Sequence, residues 1–223
     1  MIHRHLDDEL KVLRDLVLEM CYLVDEQLAE AMNALFGADV ELAERVQSRD
    51  DEIDALEMKL DRQCERILAL HHPVASELRL IILAVKVNTD LERMGDHCKN
   101  LAKNTPHTIG APEALTITRL GEMADATRAM LRAVQDAFTR SDRVTAREVL
   151  VQDKQIDRLH KANFAALVKY GQEHPEHLGA VAHLLTASKS LERISDHAKN
   201  IAESVIFLIE GLDIRHKKLP RAE

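Results

Sequence analysis

The chain has 223 residues, enough for one large or two small packed units, so its core needs no disulfide or metal staple. Apolar residues make up 46% and charged residues 30%, against 7 glycines, 5 prolines and 3% aromatics, a balance that favours packed amphipathic helices over twisted strands. The formal net charge of -8 argues against a nucleic-acid partner, and no stretch approaches the ~18 uncharged apolar residues of a membrane span.

Leu6, Leu10, Leu13, Val17, Met20, Val24, Leu28, Ala31 and Leu35 recur at three- and four-residue steps, which predicts a first helix over 6–36. Gly37 is expected to stop it, and Asp39 to cap a second helix reaching Leu70 on a stripe that includes Val46, Ile53, Leu56, Leu60 and Ile67. His71-His72-Pro73 breaks the chain before a third helix over 74–104. The segment 105–112 holds two prolines and a glycine and is the best boundary in the sequence. A fourth helix is expected over 113–140. The fifth opens at Ser141-Asp142 and closes at His174-Pro175, and the sixth carries Leu178, Val181, Leu184, Leu191 and Ile194 as far as Gly211. Long helices joined by short turns lie antiparallel. The expected fold is therefore all-α, two tandem three-helix bundles of six long antiparallel helices: a first repeat over 1–105, a linker over 106–112, a second repeat over 113–212 and a tail over 213–223. Arg215, Lys217, Lys218 and Arg221 make that tail basic. The start, Met1-Ile-His-Arg-His, carries no apolar leader, so a soluble, intracellular protein is expected, in which Cys21, Cys64 and Cys98 would be reduced, core-facing thiols.

The halves match in order. Leu91-Glu92-Arg93, Asp96-His97 and Lys99-Asn100 recur 100 residues later as Leu191-Glu192-Arg193, Asp196-His197 and Lys199-Asn200. Asp50, Ile53, Asp54 and Leu56 recur 103 residues later as Asp153, Ile156, Asp157 and Leu159, and a His-Pro pair precedes the last helix of each half. Three matches in one order indicate an internal duplication.

Residues four apart share a helix face, about 40° apart around the axis. Glu92 with Asp96 continues a face that begins at Leu78, Ile81 and Val85; Glu192 with Asp196 repeats it, and Asp50 with Asp54 and Asp153 with Asp157 edge the stripes of the second and fifth helices. Aligned pairs would gather four carboxylates per repeat, and their mutual repulsion is relieved by a cation. All-oxygen ligands suit magnesium, calcium, manganese or iron. Arg93, Lys99, Lys103, Arg193 and Lys199 compete for the same acids, and His97 and His197 lie well around the helix from Glu92 and Glu192. No nucleophile with an oriented base, phosphate-cradling glycine loop or His-Glu-x-x-His pattern is present, so an enzyme is not expected.

The run Pro73-Val-Ala-Ser-Glu-Leu-Arg79-Leu-Ile81, followed by Leu91-Glu-Arg-Met-Gly-Asp-His97-Cys-Lys-Asn100 and its second copy, closely resembles the PhoU family of phosphate-uptake regulators over essentially 6–210. The resemblance implies two similar three-helix bundles that bind multinuclear metal clusters. The metal is expected to be iron, manganese or zinc, with magnesium or calcium also compatible. Its ligands would be Asp50, Asp54, Glu92 and Asp96 in one half and Asp153, Asp157, Glu192 and Asp196 in the other. Arg79, Arg93, His97, Asn100, Arg193, His197 and Asn200 are expected around those carboxylates or at a partner contact. The resemblance further implies a homodimeric cytoplasmic protein, held to the inner face of the membrane through its partners. It would couple a phosphate ABC transporter ATPase to a phosphate-sensing histidine kinase and repress the starvation response when phosphate is plentiful. His72-Pro73 stands where the family has Gln-Pro, Leu178-Gly-Ala-Val181 replaces the Leu-Arg segment, and Ser195 replaces Gly95, so Arg79 has no second copy. A metal-dependent phosphoester hydrolase and a metal-free helical adaptor are the rival readings.

Overall fold

A computed structural model describes residues 2–214, with side chains from His5 onward; the basic tail residues Arg215, Lys217, Lys218 and Arg221 lie outside them. Among the described residues there are nine α-helices and no strands. Six are long: α1 (Ile2–Gly37), α3 (Asp50–Leu70), α4 (Ser76–Ala102), α7 (Leu120–Arg140), α8 (Arg143–Glu173) and α9 (Leu178–Glu210). Three are short: α2 (Val40–Ser48), α5 (Thr105–Thr108) and α6 (Pro112–Thr116). The all-α expectation of six long helices holds. Cys21, Cys64 and Cys98 are free and buried, as their positions on the apolar stripes predict.

Several boundaries differ from expectation for local reasons. Gly37 does not stop the first helix; it is the last helical residue, and Ala38 takes the left-handed conformation, φ 51°. Ser141 repeats it at φ 52°, and each is followed by an aspartate cap: Leu42 N donates to Asp39 at 2.9 Å and Val144 N to Asp142 at 2.8 Å. The predicted second helix is broken at Arg49 into α2 and α3. The side-chain amide of Gln27 donates to the Val46 carbonyl at 3.2 Å, and the Ser48 hydroxyl to that of Arg45 at 2.9 Å, satisfying carbonyls near the end of α2. The predicted fourth helix is likewise interrupted between α6 and α7, where Asn163 of α8 accepts from Arg119 N at 2.6 Å. The connector at 106–112 is packed: Thr105, Thr108 and Ala111 are buried, and α5 and α6 both touch α9.

In the first half α3 packs on α1 and α4; in the second α8 packs on α7 and α9; the halves meet where α4 crosses α9 and α1 crosses α7. One continuous apolar core runs through all these helices. Helices α1, α4, α7 and α9 thus form the centre, with α3 and α8 on opposite flanks.

Two contacts at the centre join residues that are each other's repeat equivalents. His97 meets His197, 100 residues on, with ring centroids 5.8 Å apart. Asp25 meets Arg128, 103 residues on, at 2.8 Å from Arg128 Nε. A position can contact its own equivalent only near a two-fold axis, so the duplication folds as an internal pseudo-dimer. The burial pattern of residues 91–100 is repeated residue for residue at 191–200.

Candidate functional site

The flanks are where the predicted carboxylates stand. On the first, Asp50 opens α3 and is buried, its carboxylate paired with the ammonium of Lys99 on α4. Asp54 is exposed one turn later, and Glu92 and Asp96 are half-buried on the facing side of α4. The two helices sense each other's charge. Desolvation and Asp50 push the Asp54 carboxyl up, Lys99 opposing and Asp96 adding. Desolvation and Asp96 raise Glu92, with Arg93 opposing and Glu57 and Asp54 adding. Gly95 helps bring the helices together, since a Cβ there would stand 2.8 Å from Ile53 Cδ1.

The second flank repeats the plan. Asp153 is buried and takes Lys199 Nζ at 2.6 Å on one oxygen, while its other oxygen, Oδ1, is buried without a partner. Desolvation, Asp153 and Glu192 raise the Asp196 carboxyl, against Arg193 and Lys199. Arg193 pairs with Asp196 at 3.3 Å and Lys189 with Glu192. Asp157 is half-buried on α8. Ser195, the counterpart of Gly95, turns its hydroxyl onto the Glu192 carbonyl at 2.7 Å.

The flanks also differ where repeat matching is silent. Glu57 continues the α3 ladder one turn past Asp54, its carboxyl raised by desolvation and by Asp61 and Asp54. Asp61 follows, accepting from Asn88 Nδ2 at 2.8 Å. At the 103-residue offset these positions are His160 and Phe164, so the first face is longer and all-oxygen, while the second ends in an imidazole bonded to Ser188 at 2.9 Å. The spacing 50, 54, 57, 61 was the available signal for Glu57 and Asp61. The Ser188–His160 contact is the arrangement closest to a nucleophile and base, but Ser188 is fully buried.

Donor chemistry and charge on both faces fit a hard or borderline cation. Among the described residues, however, the three side chains whose ligand atoms already lie within 4.8 Å of one another are His174, Glu176 and His177, at the turn between α8 and α9. Tyr170 braces that turn, its hydroxyl 2.8 Å from His177 Nδ1 and its ring tilted against His174 with centroids 4.5 Å apart. Holding an ion on the flanking faces requires the carboxylates to rotate inward and Lys99 and Lys199 to release Asp50 and Asp153.

The surrounding residues are placed less uniformly than their motif. Arg93 and Arg193 do lie against the carboxylates. His97, Asn100, His197 and Asn200 lie on the other side of their helices, toward the α4–α9 crossing. Arg79 reaches the end of α9, where a Cβ on the left-handed Gly211 would stand 3.6 Å from its guanidinium, a favourable place for a cation at a helix C-terminus.

The PhoU domain family model matches residues 17–105 and 120–205. The phosphate-specific transport system accessory protein PhoU homolog of Pseudomonas aeruginosa is 39% identical over 99% of this chain and 91% of its own length. This chain belongs to the PhoU family. The homolog from Zymomonas mobilis is 37% identical over 92% of this chain and 86% of its own. The crystal structure of PhoU from P. aeruginosa superposes with a TM-score of 0.84 at 37% identity, covering 92% of this chain and 99% of that one. The phosphate transport system regulatory protein PhoU from Streptococcus pneumoniae gives 0.85 at 29% identity, covering 93% and 98%. The two PhoU matches begin 103 residues apart and end 100 apart, the offsets of the motifs themselves, and each contains one complete carboxylate face. No described helix is long and apolar enough to cross a membrane.

Proposed function

We propose that this chain is a regulatory accessory protein of phosphate transport whose two flanking carboxylate faces take up metal ions. A bound di- or trivalent ion, whether iron, manganese or zinc, would supply concentrated positive charge and several oxygen-ligand positions. Asp50, Asp54, Glu92 and Asp96 would hold it on one flank, and Asp153, Asp157, Glu192 and Asp196 on the other. Lys99 and Lys199 act as built-in counter-ions to the buried Asp50 and Asp153, and their own ammonium groups are held charged by those same hydrogen bonds. The observation that carries the reading is this Asp–Lys pair beside a Glu-xxx-Asp turn, present in both halves of a chain 39% identical, end to end, to a phosphate-specific transport accessory protein.

In this reading the protein works in the cytoplasm as a homodimer, docks on the ATPase of a phosphate ABC transporter and on a phosphate-sensing histidine kinase, and represses the starvation response when phosphate is plentiful. The test is complementation. In a bacterium lacking its own accessory protein, the wild-type chain should restore a low phosphate-starvation reporter signal in phosphate-rich medium. Variants carrying Glu92→Ala and Asp96→Ala, or Glu192→Ala and Asp196→Ala, should fail to do so while remaining folded. A reporter that stays high with the wild-type chain at normal abundance would sink the regulatory reading, and full repression by both variants would remove the metal from it.

A further inference from the structure

The internal two-fold axis supplies a template within the molecule. On one side of the α4–α9 crossing, Asp90 Oδ1 accepts from His197 Nδ1 at 2.8 Å and from Asn200 Nδ2 at 3.2 Å. A carboxylate only accepts, so His197 carries its proton on Nδ1 in this contact. On the other side the equivalent residues are Ser190, His97 and Asn100. Serine is shorter and neutral, and where Asp90 fills its side, Ser190 leaves a cavity of about 520 Å³. His97 and Asn100 line it, joined by Lys103, Lys189 and Arg193, and no carboxylate is among the lining residues. Among the described residues, His97 has its ring contact with His197 but no hydrogen bond, and the Asn100 side chain has none either. Lys103 makes no ion pair with a described residue, whereas Lys189 and Arg193 are shared with Glu192 and Asp196.

We propose that this cavity binds a small oxyanion of the phosphate class, seated where the Asp90 carboxylate sits on the opposite side of the axis. The imidazole of His97 and the amide of Asn100 would donate to it as their equivalents donate to Asp90. The Ser190 hydroxyl would add a third neutral donor, and Lys103, Lys189 and Arg193 its counter-charge. The cavity opens on solvent, so the anion enters without unpacking the helices. The cavity shares Lys189 and Arg193 with the second carboxylate face but contains none of the proposed metal ligands; the choice of phosphate among oxyanions rests on the proposed role in phosphate regulation.

The experiment is calorimetric titration of the full chain in a chelating, chloride-based buffer, so that no metal can recruit phosphate, with inorganic phosphate in one arm and glycerol 3-phosphate in the other. Binding is expected in at least one arm at one equivalent per chain. Ser190→Asp gives the cavity the carboxylate that Asp90 supplies opposite and should weaken that binding at least tenfold. Asn100→Ala with Lys103→Ala, both exposed positions, should weaken it at least fivefold with thermal unfolding unchanged, which covers the case that Ser190→Asp misfolds. Tightest binding in the first arm identifies free phosphate, and in the second a phosphate ester. No binding at millimolar concentrations in either arm, or undiminished binding in the folded variants, would overturn the site. Because no reporter is involved, the site and the regulatory role can fail separately.

Discussion

Replacing Glu92 by Gln together with Asp96 by Asn removes two half-buried charges at nearly constant volume and so isolates electrostatics from packing. A like-charge pair at i,i+4 costs about 0.2–0.5 kcal/mol, and the fields of Asp54 and Glu57 across the α3–α4 face add contributions of the same order. The exposed Arg93–Glu92 contact, at 3.5 Å, returns little. The metal-free variant should therefore be more stable by about 1 kcal/mol, a rise of roughly 2–4 °C in Tm for a chain of this size. An ion present at a hundred times its Kd stabilises the wild type by about 2.7 kcal/mol, so the order reverses when metal is added. The sign with pH follows from the raised carboxyls. The folded wild type holds protons on Glu92, Asp54 and Glu57 more tightly than the unfolded chain, so its metal-free stability falls as pH rises from the ordinary carboxylate range through the raised folded values. The double variant should lose the share of that slope due to Glu92 and keep most of the share due to Asp54 and Glu57, whose carboxyls are raised first by desolvation. Scanning calorimetry of chelated protein, with and without manganese, zinc or iron, reads all three quantities. A chelated variant less stable than wild type would mean that these carboxylates support the fold and are not a strained site. An undiminished metal shift would place the ion elsewhere, and repeating the scan with His174→Ala would show whether the turn of His174, Glu176 and His177 holds it.

Two further outcomes concern the scaffold. Asp25 takes four hydrogen bonds from Arg128 and Arg132; desolvation pushes its carboxyl up, and those bonds outweigh it and hold it below the usual range. Asp25→Ala should cost about 1.5–3 kcal/mol in a urea unfolding curve, and the wild type alone should shed this contribution as pH falls from the ordinary aspartate value through the lowered folded one. Ala38→Gly removes the steric penalty of a left-handed alanine, about 1–2 kcal/mol, less the added entropy of the unfolded chain, so the urea midpoint should rise by the equivalent of about 0.5–1 kcal/mol with m unchanged.

What could be read in the sequence is what the two halves share. The apolar stripes located the six long helices, Asp39 announced a helix cap, Ser141-Asp142 announced the start of α8, and motif offsets of 100 and 103 paired the carboxylates of the two halves. The residues that escaped are those at which the halves differ. Glu57 and Asp61 are matched by His160 and Phe164, Asp90 by Ser190, and Asp25 by Arg128, so a search for repeated identities passes over every one of them. The breaks at Arg49 and between α6 and α7 escaped for a related reason: each is fixed by a distant side chain, Gln27 or Asn163, that takes over a backbone group from another helix.

These differences are what a single chain permits and a symmetric pair forbids. On a true two-fold axis a residue meets its own copy, so Asp25 would face an aspartate and the contact would repel. With unlike halves, Asp25 faces Arg128 there, and the central helices are tied by opposite charges. The same freedom acts a few turns away. Asp90 closes one side of the α4–α9 crossing, while Ser190 leaves the other open beside three cations. On the flanks it acts again, where one carboxylate ladder runs on through Glu57 and Asp61 and the other ends at His160. Common helices therefore carry two carboxylate faces of different donor chemistry and a cation-lined cavity on one side only. If the proposed ion sits on Glu192 and Asp196, it would compete with Lys189 and Arg193 for those carboxylates and free both cations for the cavity they line, so metal on the second face should tighten anion binding there.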